Sequence, residues 1–518
     1  MAIKKGKDVK EKKVKKTKEK PEKNGKKAKA EKEPKVKKGK KGRVIDGDTG
    51  EVIDDAEGIA LRAHNASEDM DAMLDAIEKD VGIVAVTAGS RNTTSTGLLS
   101  LDLMLCGGLV SGGWYTFFGG EQSSKSTLAM TQIARAAMQG KIPILLYFDF
   151  EGSLSESLDY MLSIAKAQGF KGNLQDLFGI QDPKTGKYIR KPLIRRYQES
   201  VAERFFDLVA KLERSLPDKL YRNEKWWFVY EHTKVNISKY SAKADKQLYK
   251  QTGKLWVETD NGHPQAMIVV DSYPAMLPER LDEDDVGAGM AAQARMFSDN
   301  IKRVKGKMSS KRIIIMGVNQ LRKAPMVKYG SPEYEPGGEA VKFFSDVRIR
   351  MASRSVLGGT GQLEEEPSVE KSGGKDVYRY VNMRAAKNKL SVPNLEGWAR
   401  IWVRDAKGKG RGYDPVFDTF TFLKELKLIS GTKKNLSIKL KEFEGSKGLT
   451  WAQFKMLCIG EKQMVLQVFK EAKIKGKPFK LRERLFKMVA SGKATEQYFA
   501  ALAAGGGKDK DEEVPSDE

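Results

Sequence analysis

The chain has 518 residues and a formal net charge of +24, enough length for two or three domains with a sizeable core. Its two cysteines, Cys106 and Cys458, lie far apart and argue for a reducing compartment rather than a disulfide framework, and its three scattered histidines (His64, His232, His263) form no zinc-binding cluster. The N-terminus carries no apolar signal-peptide region and no apolar run approaches the roughly 20 residues of a membrane span, so the reading is of a soluble, cytoplasmic protein with no membrane partner.

Much of the charge sits at one end. Residues 1–43 hold 21 Lys/Arg against 6 Asp/Glu, a net of +15, which leaves +9 for the remainder. A Lys-rich segment without aromatic residues cannot bury enough apolar area to offset its chain entropy, and the expectation is a disordered arm. It suits either a solubilising or localising tail or a sliding contact on nucleic-acid phosphates. Residues 44–88 read as a polar linker followed by a short helix. Ser67 can cap that helix, Glu68 and Asp69 favour its dipole, and Met70, Met73, Leu74 and Ile77 give it one apolar face. So short a helix needs something to dock on.

From about Ile83 the pattern is α/β. Short apolar strands end in polar residues: "ILLYFDFE" (144–151), "AMIVVDS" (266–272), "RIIIMGVNQ" (312–320) and "DVRIRM" (346–351). Helical stretches such as 126–139, closed by Gly140, lie between them. This predicts a mostly parallel sheet covered on both faces, with ligands beyond the carboxyl ends of its strands. Residues 170–262 interrupt the rhythm and read as an inserted subdomain. Residues 354–376 read as a mobile hairpin loop. A smaller C-terminal α/β domain over 413–504 and an acidic tail over 505–518 follow the core assigned to 89–412.

The chemistry begins with "FFGGEQSSKST" (117–127). It follows the phosphate-loop pattern G-x-x-x-x-G-K-[ST] at Gly119, Lys125 and Ser126, but Ser124 stands where the second glycine belongs. Backbone N–H groups of such a loop wrap phosphates at a helix N-terminus. If position 124 needs a positive φ, serine costs on the order of 1–2 kcal/mol there. Asp271 suits a carboxylate that holds the water shell of Mg2+, or a plain strand-terminal turn. Glu151 is placed to polarise an attacking water. Asn319 and Gln320 end a third strand where they could sense a γ-phosphate.

With these residues in order, "TSTGLLSLDLMLCGGLVSGGWYTFFGGEQSSKSTL" resembles the opening of the RecA recombinase core, whose counterpart reads "STGSLSLD…GG…G…GPESSGKTTL". The likeness continues through "DFE", "IVVDSYPAMLP", "GMAAQARMFS", "NQLRK…YGSPEYEPGGEAVKFFSDVRIR" and "AAKNKLSVP", over roughly residues 68–430 without 170–262. The resemblance implies a RecA-type P-loop ATPase core with an N-terminal oligomerisation helix, a divergent member of the kind bacteriophages encode. It implies ATP and Mg2+ as cofactors, with Gly119, Gly120, Glu121, Gln122, Ser123, Ser124, Lys125, Ser126 and Thr127 around the phosphates. Ser126 and Asp271 would serve the metal, Glu151 would be the catalytic carboxylate, and Gln320 would link the γ-phosphate to DNA affinity. Lys387 and Lys389 match the pair that reaches a neighbouring subunit's ATP, and Phe343 matches an interface phenylalanine.

Two segments match the family's DNA-binding loops. The first lies around 279–291, with Met290 and Arg295 on register, although "ERLDEDDVGAG" is acidic. The second runs from Leu321 to about Lys342 and offers Arg322, Lys323, Lys328, Tyr329, Glu333, Gly337 and Gly338. Its mixture of cations, aromatics, Gly and Pro suits a loop that orders on single strands. The family's adenine-stacking tyrosine falls on Leu158, with Tyr160 two residues on, and Glu339 replaces an asparagine. The implied partners are single-stranded DNA, homologous duplex DNA, further copies of the chain in a helical filament, and single-strand-binding and mediator proteins. The implied activity is ATP-dependent strand exchange in recombination and repair. A hexameric RecA-core helicase and a DNA-coating protein with weak ATPase activity are the alternatives.

Overall fold

The computed structural model describes residues 44–45, 52–53, 70, 73–74, 92–152, 154–231, 244–259, 262–279, 286–323, 333–354, 370–372, 376–402, 412–432 and 434–503. The arm over 1–43, most of the 354–376 loop and the tail over 505–518 lie outside them. Chain contacts divide the molecule at Val84/Ala85 into two compact units. In the first, β1 (Val44–Ile45) pairs antiparallel with β2 (Val52–Ile53), inside the stretch read as linker. Met70, Met73 and Leu74 are helical there, with exposed side chains.

The second unit opens with β3 (Thr93–Thr94), α1 (Leu99–Met104) and β4 (Leu109–Val110). Then β5 (Trp114–Gly119), α2 (Lys125–Gln139), β6 (Ile144–Asp149) and α3 (Leu154–Ala167) alternate. The interrupting stretch contains α4 (Leu174–Phe178), the hairpin of β7 (Ile180–Gln181) and β8 (Tyr188–Arg190), β9 (Arg195–Gln198) and α5 (Ala202–Ser215). It closes with β10 (Asp218–Arg222), β11 (Lys225–Tyr230), α6 (Lys246–Thr252) and β12 (Leu255–Thr259). The core resumes with β13 (Ala266–Asp271), α7 (Val286–Lys311), β14 (Ile313–Gln320), β15 (Arg322–Lys323), β16 (Glu333–Tyr334) and α8 (Gly338–Phe344). It ends in β17 (Val347–Arg354), β18 (Glu370–Ser372), β19 (Asp376–Asn388) and β20 (Glu396–Trp402). Last come α9 (Pro415–Glu425), β21 (Ile429–Thr432), β22 (Asn435–Ile438), α10 (Trp451–Ile459), α11 (Lys462–Glu471), α12 (Leu481–Ala490) and α13 (Lys493–Ala503).

Among the described residues the main sheet has nine strands in the order β18-β19-β17-β5-β14-β13-β6-β9, with β20 also on β19. From β17 to β9 every pairing is parallel, while β17–β19 and β19–β20 are antiparallel. The expected mixed α/β class with a mostly parallel central sheet is therefore what forms. Alternation along each buried strand sends side chains to two cores. Leu145, Tyr147, Ile314 and Met316 join Leu128, Ile133, Met161 and Ile164 of α2 and α3 on one face. Leu146, Phe148, Ile313 and Ile315 join Phe205, Phe206, Phe297 and Ile301 of α5 and α7 on the other. Each such side chain, fully removed from water, contributes about 1.5–3 kcal/mol.

This arrangement refines the reading of 170–262 as an insertion set apart from the core. Phe205, Phe206 and Val209 cover one face of the main sheet, and β9 extends its edge beside β6. Of the rest, β7 and β8 pair with each other, and β10, β11 and β12 build a sheet of their own, antiparallel throughout. The apolar stripe of α5 explains the difference, because a helix that amphipathic must bury its stripe against a sheet or another helix.

The C-terminal region likewise has its own apolar cluster but shares it with the core. Leu99 and Leu103 of α1 pack among Phe420, Leu423, Leu457 and Leu485. At this junction the buried Asp418 carboxylate accepts from Leu99 N (2.9 Å), Ser100 N (3.3 Å) and Ser100 Oγ (3.1 Å), capping α1 from 319 residues away. Arg482 Nη1 donates to Asp418 Oδ2 at 2.9 Å and Nη2 donates to Gly97 O at 2.6 Å. One carboxylate thus joins α1, α9 and α12. Asp418→Ala strands the Arg482 charge and uncaps α1, and should cost about 3–5 kcal/mol. A urea midpoint equal to that of the unaltered protein would show that the junction contributes nothing.

Candidate functional site

The carboxyl ends of β5, β6, β13 and β14 come together at one edge of the sheet. Gly119 ends β5 level with Gln320 at the end of β14, and Asp149 ends β6 level with Asp271 at the end of β13. Between β5 and α2, residues 120–124 form the loop expected from the sequence. Gly119 has no room for a side chain, since a Cβ there would collide with the Met351 carbonyl of neighbouring β17. Ser124, the departure from the pattern, sits at φ 65° and ψ 25°, in the left-handed region that the missing glycine would occupy without strain. Gln122 also has a positive φ of 54°.

Inside the loop Ser123 Oγ donates to Gly120 O at 2.8 Å, and the Lys125 ammonium donates to Gly120 O at 2.5 Å and Ser123 Oγ at 3.2 Å. Burial lowers the Lys125 ammonium to about 8, against the pull of Asp271, Glu151 and Glu121. Ser126 Oγ, in the first turn of α2, donates to Asp271 Oδ1 at 3.0 Å, and Tyr147 OH donates to Asp271 Oδ2 at 2.8 Å. Burial pushes the Asp271 carboxyl up to about 6; the Tyr147 hydrogen bond opposes this, nearby Glu151 adds to it, and Ser126 opposes it in turn. Glu151 is exposed, and its Oε1 accepts from Ser272 Oγ at 2.5 Å.

Of these groups Ser123, Lys125, Ser126 and Glu151 border a cavity of about 410 Å³, within the range of small-molecule sites, and Asp271 stands behind Ser126 without lining it. Glu121 to Thr127, Glu151, Tyr160 and Gln320, all singled out from the sequence, line it, whereas Gly119, Gly120 and Asp271 do not. Tyr160 rather than Leu158 faces it, with Tyr160 OH 3.4 Å from Thr127 Oγ1, while Leu158 packs against the core. Arg379 and Trp402 also line it and were not foreseen. Arg379 Nη1 donates to Gln122 O at 2.7 Å, gripping the loop from β19. Tyr147 was also missed, although its place two residues before Asp149 on a buried strand puts both on one face.

The other expected residues lie elsewhere. The Lys387 ammonium donates to Lys342 O and Phe343 O, both at 2.7 Å. Lys387 Nζ and Lys389 Nζ stand 5.8 and 5.7 Å from the centre of the exposed Phe343 ring. Burial, then the neighbouring Lys389 and Arg348 charges, lower the Lys387 ammonium. None of the three residues borders the cavity. Met290 lies in the first turns of α7, and Arg295 is exposed further along it. Arg322 and Lys323 pair with Tyr334 and Glu333 as a two-stranded ribbon. Gly337 (φ 92°) and Gly338 (φ 73°) start α8 close against Phe297 and Ala294 of α7. Lys328 and Tyr329 lie outside the described residues, and among those described no helix is long and apolar enough to cross a membrane.

A strand–loop–helix cradle at the carboxyl edge of a parallel sheet, with a carboxylate ending a second strand beside it, defines a P-loop nucleotide-binding core. The family model of the RecA N-terminal domain matches residues 260–400, which hold Asp271, Gln320, Phe343, Lys387 and Lys389. Protein RecA of Streptococcus agalactiae serotype III is 25% identical over 340 residues, covering 64% of this chain and 68% of that protein. Protein RecA of Aquifex pyrophilus is 28% identical over 349 residues, covering 65% and 75%. The crystal structure of the RadB recombinase aligns over 62% of this chain and 97% of its own at 16% identity, with a TM-score of 0.33. By sequence the chain is thus similar to RecA proteins over about two thirds of its length.

Two substitutions test the site's construction. Ser124→Gly removes the left-handed strain and should leave stability unchanged or raise it by up to about 1 kcal/mol, because relief of the strain outweighs the freer unfolded chain; a clear drop in the melting temperature would refute the strained geometry. Tyr147→Phe leaves a buried carboxylate oxygen without its donor and should cost about 1–3 kcal/mol. The same change in an Asp271→Ala background should cost close to nothing, and equal losses in both backgrounds would deny the pairing.

Proposed function

We propose that the protein is an ATP-dependent DNA strand-exchange recombinase that polymerises on single-stranded DNA. The observation that carries this reading is the length of β19. Arg379 near its start grips the phosphate loop, and Lys387 near its end sits beside Phe343. Eight residues of extended strand separate them by about 27 Å. A lysine cannot span that distance, so Lys387 and Lys389 serve a nucleotide only if it belongs to a neighbouring protomer. A head-to-tail arrangement of this kind closes into a ring or continues as a filament. Phe343, a large exposed aromatic side chain between the two lysines, suits the centre of such an interface.

Within one protomer, the N–H groups of residues 120–125 and the Lys125 ammonium would bind the phosphates at the start of α2. Ser126 Oγ and Asp271 Oδ1, already 3.0 Å apart, fit a Mg2+ held by the hydroxyl directly and by the carboxylate through water. That ion would neutralise phosphate charge. Glu151, oriented by Ser272, would polarise the attacking water. Tyr160 and Trp402 offer aromatic walls for the base. Gln320, on the cavity at the end of β14, is followed at once by the Arg322–Lys323 ribbon, so the γ-phosphate and the DNA loop would meet through one strand end.

Lys125→Ala and Lys387→Ala should each abolish DNA-stimulated ATP turnover. An equal mixture of the two inactive proteins should regain part of it, because about one quarter of the interfaces would combine an intact loop with intact lysines. No recovery would sink the shared site. Electron microscopy with ATP and single-stranded DNA should show helical filaments, and closed rings would favour the helicase.

A further inference from the structure

Residues 182–199 carry six basic side chains and two acidic ones. Both carboxylates are already engaged within the fold. Asp182 organises the turn between β7 and β8, accepting from Lys184 N at 2.9 Å and Thr185 Oγ1 at 2.8 Å. Glu199 Oε1 accepts from Ser200 N at 2.9 Å and Val201 N at 3.1 Å, and faces Arg204. Nearby Asp176 is paired with Arg190. Lys184, Lys187 and Lys191 are exposed, and none has a carboxylate partner among the described residues. Ile189, 72% exposed, stands two residues from each of Lys187 and Lys191.

The hairpin holds these cations on a stiff support. Asp182 N donates to Lys187 O and Gly186 N to Asp182 O, both at 2.8 Å, with Gly186 at φ 64°. Its base is tied to α4, where Leu193 N and Ile194 N both donate to Leu177 O at 3.0 Å. Gly179 packs so closely on Arg190 and Pro192 that a side chain would not fit. Because the ribbon's backbone is already ordered, binding would cost the freedom of the lysine side chains but not that of the chain carrying them. Beyond β9, Ser200 and Ala202 exchange backbone hydrogen bonds with Leu277, at 2.9 and 2.8 Å. Leu277 leads into the 279–291 segment read as a DNA loop, so the hairpin and that loop share a root.

We propose that the β7–β8 hairpin is a further DNA-binding element, taking the phosphate backbone on Lys184, Lys187 and Lys191 with Ile189 as an apolar contact between them. The inference rests on the DNA-binding reading above, but not on either of its loops. A two-stranded ribbon has the dimensions to enter a major groove, and a cationic one also tracks a single strand. Three exposed ammonium groups with no carboxylate partner among the described residues suit a polyanion, and DNA is the one proposed for this protein.

The test is the salt dependence of DNA affinity, measured by fluorescence anisotropy with a non-hydrolysable ATP analogue on a short single strand and on a duplex. Neutralising the hairpin with Lys184→Gln, Lys187→Gln and Lys191→Gln together should make the slope of log affinity against log salt shallower by about 2 on the single strand, or about 3 on the duplex. The form of DNA that shows the change is the form the hairpin holds. Replacing the same three by arginine should keep the original slope, and the unfolding midpoint should stay the same in both variants, since these lysines have no carboxylate partner among the described residues. An unchanged slope on both DNAs would overturn the proposal while leaving the DNA reading intact, and would point to an acidic protein surface instead. A parent protein without measurable DNA affinity would overturn the reading itself.

Discussion

Asp271 ends the central strand β13 with its carboxylate buried and its two oxygens held by different elements. Ser126 reaches Oδ1 from α2, and Tyr147 reaches Oδ2 from β6. A carboxylate withdrawn from water is costly unless hydrogen bonds replace its hydration, so these two donors tie the phosphate loop, β6 and β13 into one geometry. The loop cannot shift along its helix without uncovering Oδ1. Strand β6, which carries Asp149 and leads to Glu151, cannot change register without moving the Tyr147 hydroxyl away from Oδ2. The groups best placed for chemistry are therefore also those that keep the sheet's carboxyl edge in order.

Around that point the molecule is assembled from segments distant in sequence. Arg379 and Trp402 come from the antiparallel end of the sheet to close a cavity begun by a loop more than 250 residues earlier. Asp418 and Arg482 tie the C-terminal helices to α1, just ahead of β5. Such ties make the C-terminal region part of the same packed α/β unit rather than an appendage. Strand β19 then carries that rigidity from the phosphate loop to Phe343, Lys387 and Lys389, so two places about 27 Å apart belong to one strand. The exposed Phe343 and its two lysines at one end are thus mechanically continuous with the cavity at the other.

Much of this edge was legible in the sequence because parallel strands bury both faces. Continuous apolar runs ending in Asp149, Asp271 and Asn319-Gln320 mark strands whose carboxyl ends must coincide, and Gly119, Lys125 and Ser126 mark the loop between them. The likeness to RecA followed from the order of those motifs, and the comparisons support it. The interrupting stretch was harder to read. Its length suggested a separate subdomain, yet Phe205, Phe206 and Val209 cover the main sheet, and a four-residue strand such as β9 has too little pattern to announce which sheet it joins.

Composition and local pattern alone determined the α/β class, the phosphate loop, the strand-terminal carboxylates and the surplus of cations, because each depends on residues close together in the chain. The backbone at Ser124 could be posed as a question but not answered locally, since φ is decided by how β5, α2 and the loop pack together. Tyr147 as the partner of Asp271, Arg379 and Trp402 as cavity walls, and Asp418 as the cap of α1 were decided only by tertiary structure. Each joins residues tens to hundreds of positions apart, and no local periodicity records which distant side chain will satisfy a buried oxygen or N–H.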